Sequence, residues 1–441
     1  MVLWRMKGGN TMRSLADRRG EHTAETCYSG TSMSMDTEVI RRQFPFLTAR
    51  GSPCAYLDSA ATAQKPQSVI DAMRQQEEMH TANVHRGMYP LAEEATAIYE
   101  AARQSVQSFL GAQAPQEIIF TKNCTEAVNL VAKSWGKANL RKGDAVVLSP
   151  LEHHSAIVPW MQLAEHSEIT LAWVNMDASC AYTVESLRTT LDTVQAKLVC
   201  ITGQSNVVGV RPPLKESIEV AHNAGALVLV DAAQLCVHHP VNVRELGCDF
   251  LAFSGHKLYG PTGIGVLYGR RELLEGMSPF LTGGSMIREV TRKGFSSAEL
   301  PQKFEAGTPP ITQAVGLAAA IKWLGQYPWG EIEAHERTLI ETTFAGLQSI
   351  PRLRILGSDD PGAISGCMSF VVEGVHPHDL TAILGDQGFC LRGGHHCAQP
   401  LHEHLGVPAS TRISFGMYNT IAEVQAFLPA LEKAIHLLSK S

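Results

Sequence analysis

Short apolar runs recur through the middle of the chain, each followed by a polar tip and then by helical spacing. Residues 117–120 lead to Thr121-Lys122-Asn123-Cys124-Thr125-Glu126, and 145–148 lead to Leu151-Glu152-His153-His154-Ser155. Residues 197–201 lead to Gln204-Ser205-Asn206, 226–230 to Asp231-Ala232-Ala233-Gln234, and 251–253 to Ser254-Gly255-His256-Lys257. Runs without polar alternation are those of strands covered on both faces, so the pattern predicts an α/β sheet, mainly parallel, with crossover helices. Beyond 310 the character changes. A long helix is expected over 311–324 and a smaller α+β segment over 337–441, read as a second domain. Upstream, 36–47 has helical spacing and 55–62 reads as a strand entering a turn of small residues.

Composition adds exclusions. The 441 residues are 44% hydrophobic and 18% charged with a net charge of -6, which gives no electrostatic case for nucleic acid. Ten cysteines are scattered with no C-x-x-C, the usage of a reducing compartment. No apolar stretch approaches the ~20 residues of a membrane span, and the N-terminus lacks the apolar core of a secretory signal. A cytoplasmic protein with no membrane partner is expected. Residues 1–35 carry Arg5, Lys7, Arg13, Arg18 and Arg19 without apolar periodicity and read as a disordered extension. Glu21 and Glu25 weigh against a transit peptide, and Met33 or Met35 is an alternative start.

Chemistry collects beyond the carboxyl ends of parallel strands. Lys257 stands there, beside an apolar run that lowers an amine's pKa and suits it to form a Schiff base with an aldehyde, pyridoxal phosphate being the obvious one. Alone, Ser-x-x-Lys is ordinarily a solvated loop; its companions change the reading. Cys124 and Thr125 at a helix start, with Ser254 and His256, suit a phosphate. Asp231 suits a pyridinium nitrogen, although an aspartate at a strand end is commonly a cap. His153 can stack on a ring and move protons, and Asn206 and Gln234 are candidates for a ring hydroxyl, with ordinary loop roles open to all three. The polar stretch Asn83-Val84-His85-Arg86-Gly87 suggests an active-site loop.

In the C-terminal part, Leu391 closes an apolar run six residues before Cys397, which lies beside Arg392, His395 and His396. Electropositive surroundings favour a thiolate nucleophile. A metal site built from His395, His396, Cys397, His402 and His404 is the rival reading, but the cluster lacks a regular ligand spacing. Arg412 can hold a carboxylate in its planar fork or form a surface ion pair.

Several of these stretches in order carry a family resemblance: Tyr56-Leu57-Asp58-Ser59-Ala60-Ala61-Thr62, Asn83-Val84-His85-Arg86, Glu152-His153-His154, Ser205-Asn206, Asp231-Ala232-Ala233-Gln234, Ser254-Gly255-His256-Lys257-Leu258-Tyr259-Gly260, Phe304-Glu305-Ala306-Gly307-Thr308-Pro309 and Arg392-Gly393-Gly394-His395-His396-Cys397-Ala398. From about residue 36 onward the chain resembles the PLP-dependent cysteine desulfurases of the SufS/CsdA group, nearest the CsdA type, which are fold-type I, aminotransferase class V enzymes. The resemblance implies a large PLP-binding domain over 56–310, a connecting helix and small domain over 311–441, and a segment over 36–55 packed with the small domain.

Position by position, it implies that Lys257 holds pyridoxal phosphate and Cys397 takes the sulfur. Asp231 would pair with the pyridinium, His153 stack on the ring, and Asn206 and Gln234 contact its oxygen. Thr125, Ser254 and His256, with Cys124, would bind phosphate. Arg412 would grip the carboxylate of L-cysteine, with Arg392, Asn206, His85 and Arg86 nearby. Thr308 would complete the phosphate site of a homodimeric partner. The products would be L-alanine and a Cys397 persulfide, delivered to a SufE/CsdE-like acceptor for Fe–S cluster or other sulfur assembly. Selenocysteine and cysteine sulfinate would fit the same site. One departure stands out: Lys122-Asn123-Cys124-Thr125-Glu126 replaces the family's Arg-Gly-Thr-Thr-Glu. A PLP aminotransferase, a selenocysteine lyase and a non-enzymatic metal binder are the alternatives; no metal is expected.

Overall fold

The computed structural model describes residues 35–49 and 54–439. The extension expected over 1–35 lies outside them except for Met35.

Alternate residues of the central strands enter two different cores. Val147, Val199, Ile201, Val228, Val230, Leu251 and Phe253 face one cluster, and Val146, Leu148, Leu198, Cys200, Leu229, Phe250 and Ala252 face the other. That division is the period-two consequence of a sheet buried on both sides, and it explains why these strands show no polar alternation. The first core is completed by helices Pro90–Leu110 and Ile311–Leu324, the second by Cys124–Leu130 and His154–Ser167. The architecture is therefore α/β, with helices layered on both faces of one sheet.

In chain order the strands are β1 (Ala55–Tyr56), β2 (Ile118–Thr121), β3 (Asp144–Leu148), β4 (Thr170–Trp173), β5 (Gln195–Thr202), β6 (Leu227–Asp231), β7 (Phe250–Ser254) and β8 (Gly265–Gly269), then β9 (Ile287–Thr291), β10 (Gly294–Ser297), β11 (Leu353–Leu356), β12 (Cys367–Val372), β13 (Phe389–Cys390), β14 (Arg392–Gly394) and β15 (Ser410–Ser414). The large sheet has the order β2-β8-β7-β6-β5-β3-β4. Its strands run parallel except β8, which is antiparallel to both neighbours. Reversal at β8 leaves β2 pointing the same way as β7, so their carboxyl ends share one edge.

A second, antiparallel sheet, β11-β12-β15-β14, lies toward the C-terminus with helices Trp329–Gln348, Pro377–Asp386 and Ile421–Leu438. Its own core holds Leu339, Phe344, Phe370, Leu384, Ile413, Phe427 and Leu431. Ala55 and Leu57 belong to this core too, because β1 pairs in parallel with β13. Just upstream, Arg41 binds the Tyr418 carbonyl at 3.0 Å and Glu423 at 2.8 Å, and Phe44 packs edge-on against Tyr259, Trp323 and Tyr418. The N-terminal segment thus fills the seam between the two sheets. Among the described residues no helix is long and apolar enough to cross a membrane.

Candidate active site

The shared strand edge and the small sheet enclose one cavity. From the large sheet it takes Asn123, Cys124 and Thr125 after β2, His153 after β3, Asn206 after β5, Asp231 and Gln234 at the end of β6, and Ser254, His256 and Lys257 at the end of β7. The small sheet supplies Arg392, His396, Cys397 and Arg412. The space between them is about 770 Å³ with its open mouth included.

Burial lowers the pKa of Lys257, with Asp231 pulling it back up and Arg412 pushing it further down. Asp231 is buried and uses Oδ1 for the Ala233 N–H at 3.0 Å and the Cys124 thiol at 3.4 Å; Oδ2 takes part in neither bond. Burial pushes the Cys124 thiol well above its ordinary range, so it stays a neutral donor to Asp231. The sequence placed Cys124 at a phosphate; its Sγ is committed to the carboxylate, and its N–H donates to Ser254 Oγ at 2.9 Å. Asn123 caps the following helix by accepting from the Glu126 N–H, which leaves Thr125 on the cavity wall with its first-turn N–H and hydroxyl available to an anion. Gly265 opens β8 against this turn, and a Cβ there would run into the Asn123 backbone.

His153 accepts the Ser155 N–H on Nδ1 at 3.1 Å, which leaves the ring proton on Nε2. Burial, reinforced by Lys257, lowers its pKa to about 4, so the ring is neutral. Asn206 Nδ2 donates to the His396 carbonyl at 2.7 Å and Gln234 Nε2 to the Ala60 carbonyl at 2.8 Å. Each can still offer the cavity its amide oxygen and its second N–H. His256 is held neutral as well, its pKa lowered to about 4 chiefly by burial.

Arg412 is buried, donating from Nη1 to the Asn206 carbonyl at 2.8 Å and from Nη2 to Asp58 Oδ1 at 2.9 Å. Arg392 reaches the other oxygen of Asp58 at 3.2 Å. Arg412 Nε, though buried, meets no acceptor.

The strand before Cys397 does not stop at Leu391. β14 continues through Gly394, because its residues pair with β15, so only His395 and His396 separate strand from thiol. His396 and Cys397 both take left-handed backbone conformations, φ 51° and 57°. Cys397 itself is exposed at the cavity mouth. The metal reading finds its histidines engaged elsewhere: His396 and His402 both bind Ser410, and His404 binds the Asp177 carbonyl. Among the described residues no group of three His, Cys, Asp or Glu could hold a metal ion.

His85, Arg86 and Thr308 do not line the cavity. His85 bonds Glu100 at 2.8 Å, and Thr308 lines a separate hollow with Lys122 and Glu126. Glu305 fixes the Thr308 loop by accepting from buried Arg103, from Tyr99 and from the Phe120 N–H. Asp58 and His154 are the functional neighbours that residue-by-residue reading did not single out. Asp58 stood within a quoted motif, but its arginine partners lie more than three hundred residues away in sequence.

The aminotransferase class-V family matches residues 55–427. A probable cysteine desulfurase of Vibrio cholerae is 42% identical over 408 residues, 92% of this chain and 100% of the relative. Among solved structures, the cysteine desulfurase CsdA of Escherichia coli, in an S-sulfonic acid form, superposes with a TM-score of 0.84 at 40% identity, covering 91% of this chain and 99% of that one. The apo cysteine desulfurase of Thermococcus onnurineus gives 0.86 at 39% identity, over 90% and 98%.

Proposed function

The chain belongs to the aminotransferase class-V family and is a cysteine desulfurase, and from that premise we propose the following division of labour among its cavity residues. Lys257 and Cys397 come from different sheets yet share the walls of one cavity with Arg412 and Asp231, and this single observation carries the reading.

The donor set suits pyridoxal phosphate: a buried amine, a buried carboxylate with one oxygen uncommitted, and a helix start flanked by Ser254 and His256. When bound there, the cofactor supplies an aldehyde carbon that joins amines and a ring that draws electrons from the substrate's Cα. Lys257, whose burial favours the neutral amine, holds the cofactor and takes the Cα proton. Asp231 pairs with the ring nitrogen, with Cys124 steadying its other oxygen. Thr125, Ser254 and His256 hold the phosphate. Asn206 and Gln234 turn their amides to the ring oxygen, and neutral His153 packs against the ring and relays protons through Nε2.

Arg412 takes the carboxylate of L-cysteine through the N–H donors that its bonds to Asn206 and Asp58 leave free. Cys397 thiolate then attacks the substrate sulfur. An S–S bond forms as the Cβ–S bond breaks, leaving L-alanine and a Cys397 persulfide. Selenocysteine and cysteine sulfinate enter the same cavity. Thr308, which lies outside the cavity of one chain, completes the phosphate site of the second subunit of a homodimer. Residues 56–310 act as the cofactor domain and 311–441 as the connecting helix and sulfur-bearing domain, with 36–55 packed between them rather than on the latter alone. A SufE/CsdE-like protein in the cytoplasm accepts the sulfur for Fe–S or other sulfur assembly.

The test is spectroscopic and chemical. Protein reconstituted with pyridoxal phosphate shows a visible band that borohydride removes, and it forms alanine and sulfide from L-cysteine; Lys257→Ala loses both. Retention of the reducible band in Lys257→Ala would overturn the assignment.

A further inference from the structure

Arg392 and Arg412 stand directly opposite one another in the antiparallel register of β14 and β15. Like charges in that relation repel. Asp58 resolves the conflict by dividing one carboxylate between them, Oδ1 at 2.9 Å from Arg412 Nη2 and Oδ2 at 3.2 Å from Arg392 Nη2. Its backbone is fixed for this task. Asp58 forms a parallel bridge with Ser414, and the Ser414 N–H donates to the Leu57 carbonyl at 2.8 Å. Two positive charges and one negative leave this wall of the cavity with a net charge of about one, which matches a single carboxylate. With Nη1 on Asn206 and Nη2 on Asp58, Arg412 keeps Nε and the second N–H of each Nη for a ligand.

We propose that Asp58 is a specificity-determining residue: it holds Arg412 and Arg392 in place and, by offsetting half of their charge, favours substrates whose reacting side chain is neutral over those carrying a second anion. The inference rests on the reading that Arg412 receives the substrate carboxylate. The group on the substrate's Cβ must come to the wall that Cys397 shares with Arg392, where the thiol of L-cysteine meets Cys397 and a sulfinate on the same carbon takes the same place. The thiol of cysteine arrives there uncharged, whereas a sulfinate is anionic. Arg392 attracts the sulfinate and Asp58 opposes that attraction. Asp58 touches neither substrate nor cofactor in this scheme and acts through the two guanidiniums.

Alanine formation from L-cysteine and from L-cysteine sulfinate, measured on the same reconstituted preparations of parent, Asp58→Asn and Asp58→Glu, tests it. Asp58→Asn is expected to raise the ratio of kcat/KM for sulfinate over cysteine about fivefold at low ionic strength. Salt at about 0.5 M should shrink that gain, and Asp58→Glu should keep the parent ratio. Because both substrates are read on one preparation, a partly misfolded fraction cancels from the ratio. Should Asp58→Asn not fold, Asp58→Ser removes the same charge and is expected to shift the ratio alike. An unchanged or lowered ratio in the uncharged variant overturns the proposal, as does a rise that salt does not diminish. Arg412→Ala, run in parallel, separates the two levels of argument: an unaltered KM for L-cysteine would refute the carboxylate reading itself, whatever the Asp58 variants do.

Discussion

His154 ties down the chain at and just beyond Cys397: its backbone N–H donates to the Cys397 carbonyl at 2.8 Å, and its Nε2 accepts the Gln399 N–H at 3.0 Å. Just before these bonds the chain passes through two consecutive left-handed residues, His396 and Cys397, a conformation that costs L-residues on the order of 1 kcal/mol or more each and persists only where neighbours enforce it. These contacts tie the loop to the turn that carries His153 and His154. Turnover of L-cysteine should therefore be slow for the enzyme alone and rise when an acceptor protein brings its own thiol to Cys397. Alanine formation with and without such an acceptor, under a reductant too bulky for the cavity, checks this. His154→Ala, which removes the Gln399 acceptor, should narrow the difference; equal rates for the parent in both conditions would show a mobile thiol.

Cys397→Ser should keep the visible band of the cofactor, since Cys397 approaches it from the opposite sheet, and lose at least about a hundredfold in alanine formation from L-cysteine. Selenocysteine, whose selenium leaves more easily, should retain part of its rate. Alanine production from cysteine at the parent rate would remove Cys397 from the mechanism.

Gly265→Ala should weaken cofactor retention. The added Cβ meets the main chain of Asn123 rather than a flexible side chain, so the turn that presents Cys124 and Thr125 has to move. A rise of about tenfold or more in the dissociation constant for pyridoxal phosphate, read by titrating the visible band, is expected. Unchanged affinity would mean that the turn is not part of the phosphate site.

Glu152 is fully buried, with Oε1 accepting from Ser149 at 2.8 Å and Oε2 without a partner. Burial raises its pKa from 4.5 to about 8. The sign follows from proton counting: between those two values the folded chain keeps a proton that the unfolded chain has released, so this group withdraws stability as pH rises from 4.5 to 8. Glu152→Gln, neutral throughout, should match the parent in acid and be more stable near pH 8.5 by up to a few kcal/mol. His153 and His256 act at the other end. Their folded values near 4 lie below the ordinary 6.5, so the unfolded chain takes up protons first and stability falls as pH drops from 6.5 to 4. Denaturant midpoints of parent and Glu152→Gln across pH 5 to 8.5 check both limbs, and curves that stay parallel throughout would contradict the Glu152 reading.

Strands β3, β5, β6 and β7 were legible within a residue or two because both faces are buried, and burial on both faces writes itself as an unbroken apolar run. The exposed β9–β10 hairpin and the half-buried edge strand β4 carry no such run, and the sequence reading passed over them. Site residues at strand ends were readable for the same topological reason. Lys257, Asp231 and Asn206 each follow a recognisable run. What remained hidden were relations across the fold: Cys124 with Asp231, His154 with the Cys397 loop, and Asp58 with two arginines. No local pattern encodes a contact between residues 58 and 412. The six residues from Leu391 to Cys397 read in sequence as a short loop, whereas pairing with β15 makes Arg392-Gly393-Gly394 strand and shortens the loop further.

Pairing of β1 with β13 also governs how the polypeptide comes together during synthesis. Residues 55–58 leave the ribosome early, yet Asp58 meets Arg412 only 354 positions later. The large sheet can assemble from residues 118–269, but the C-terminal core stays open, with Ala55 and Leu57 unhoused, until β12 to β15 have been made. Contacts of such sequence separation are slow to form and leave apolar surface uncovered in the interval. Vectorial folding of this chain thus ends where its chemistry begins: the event that seats the N-terminal segment also sets Asp58 between its two arginines.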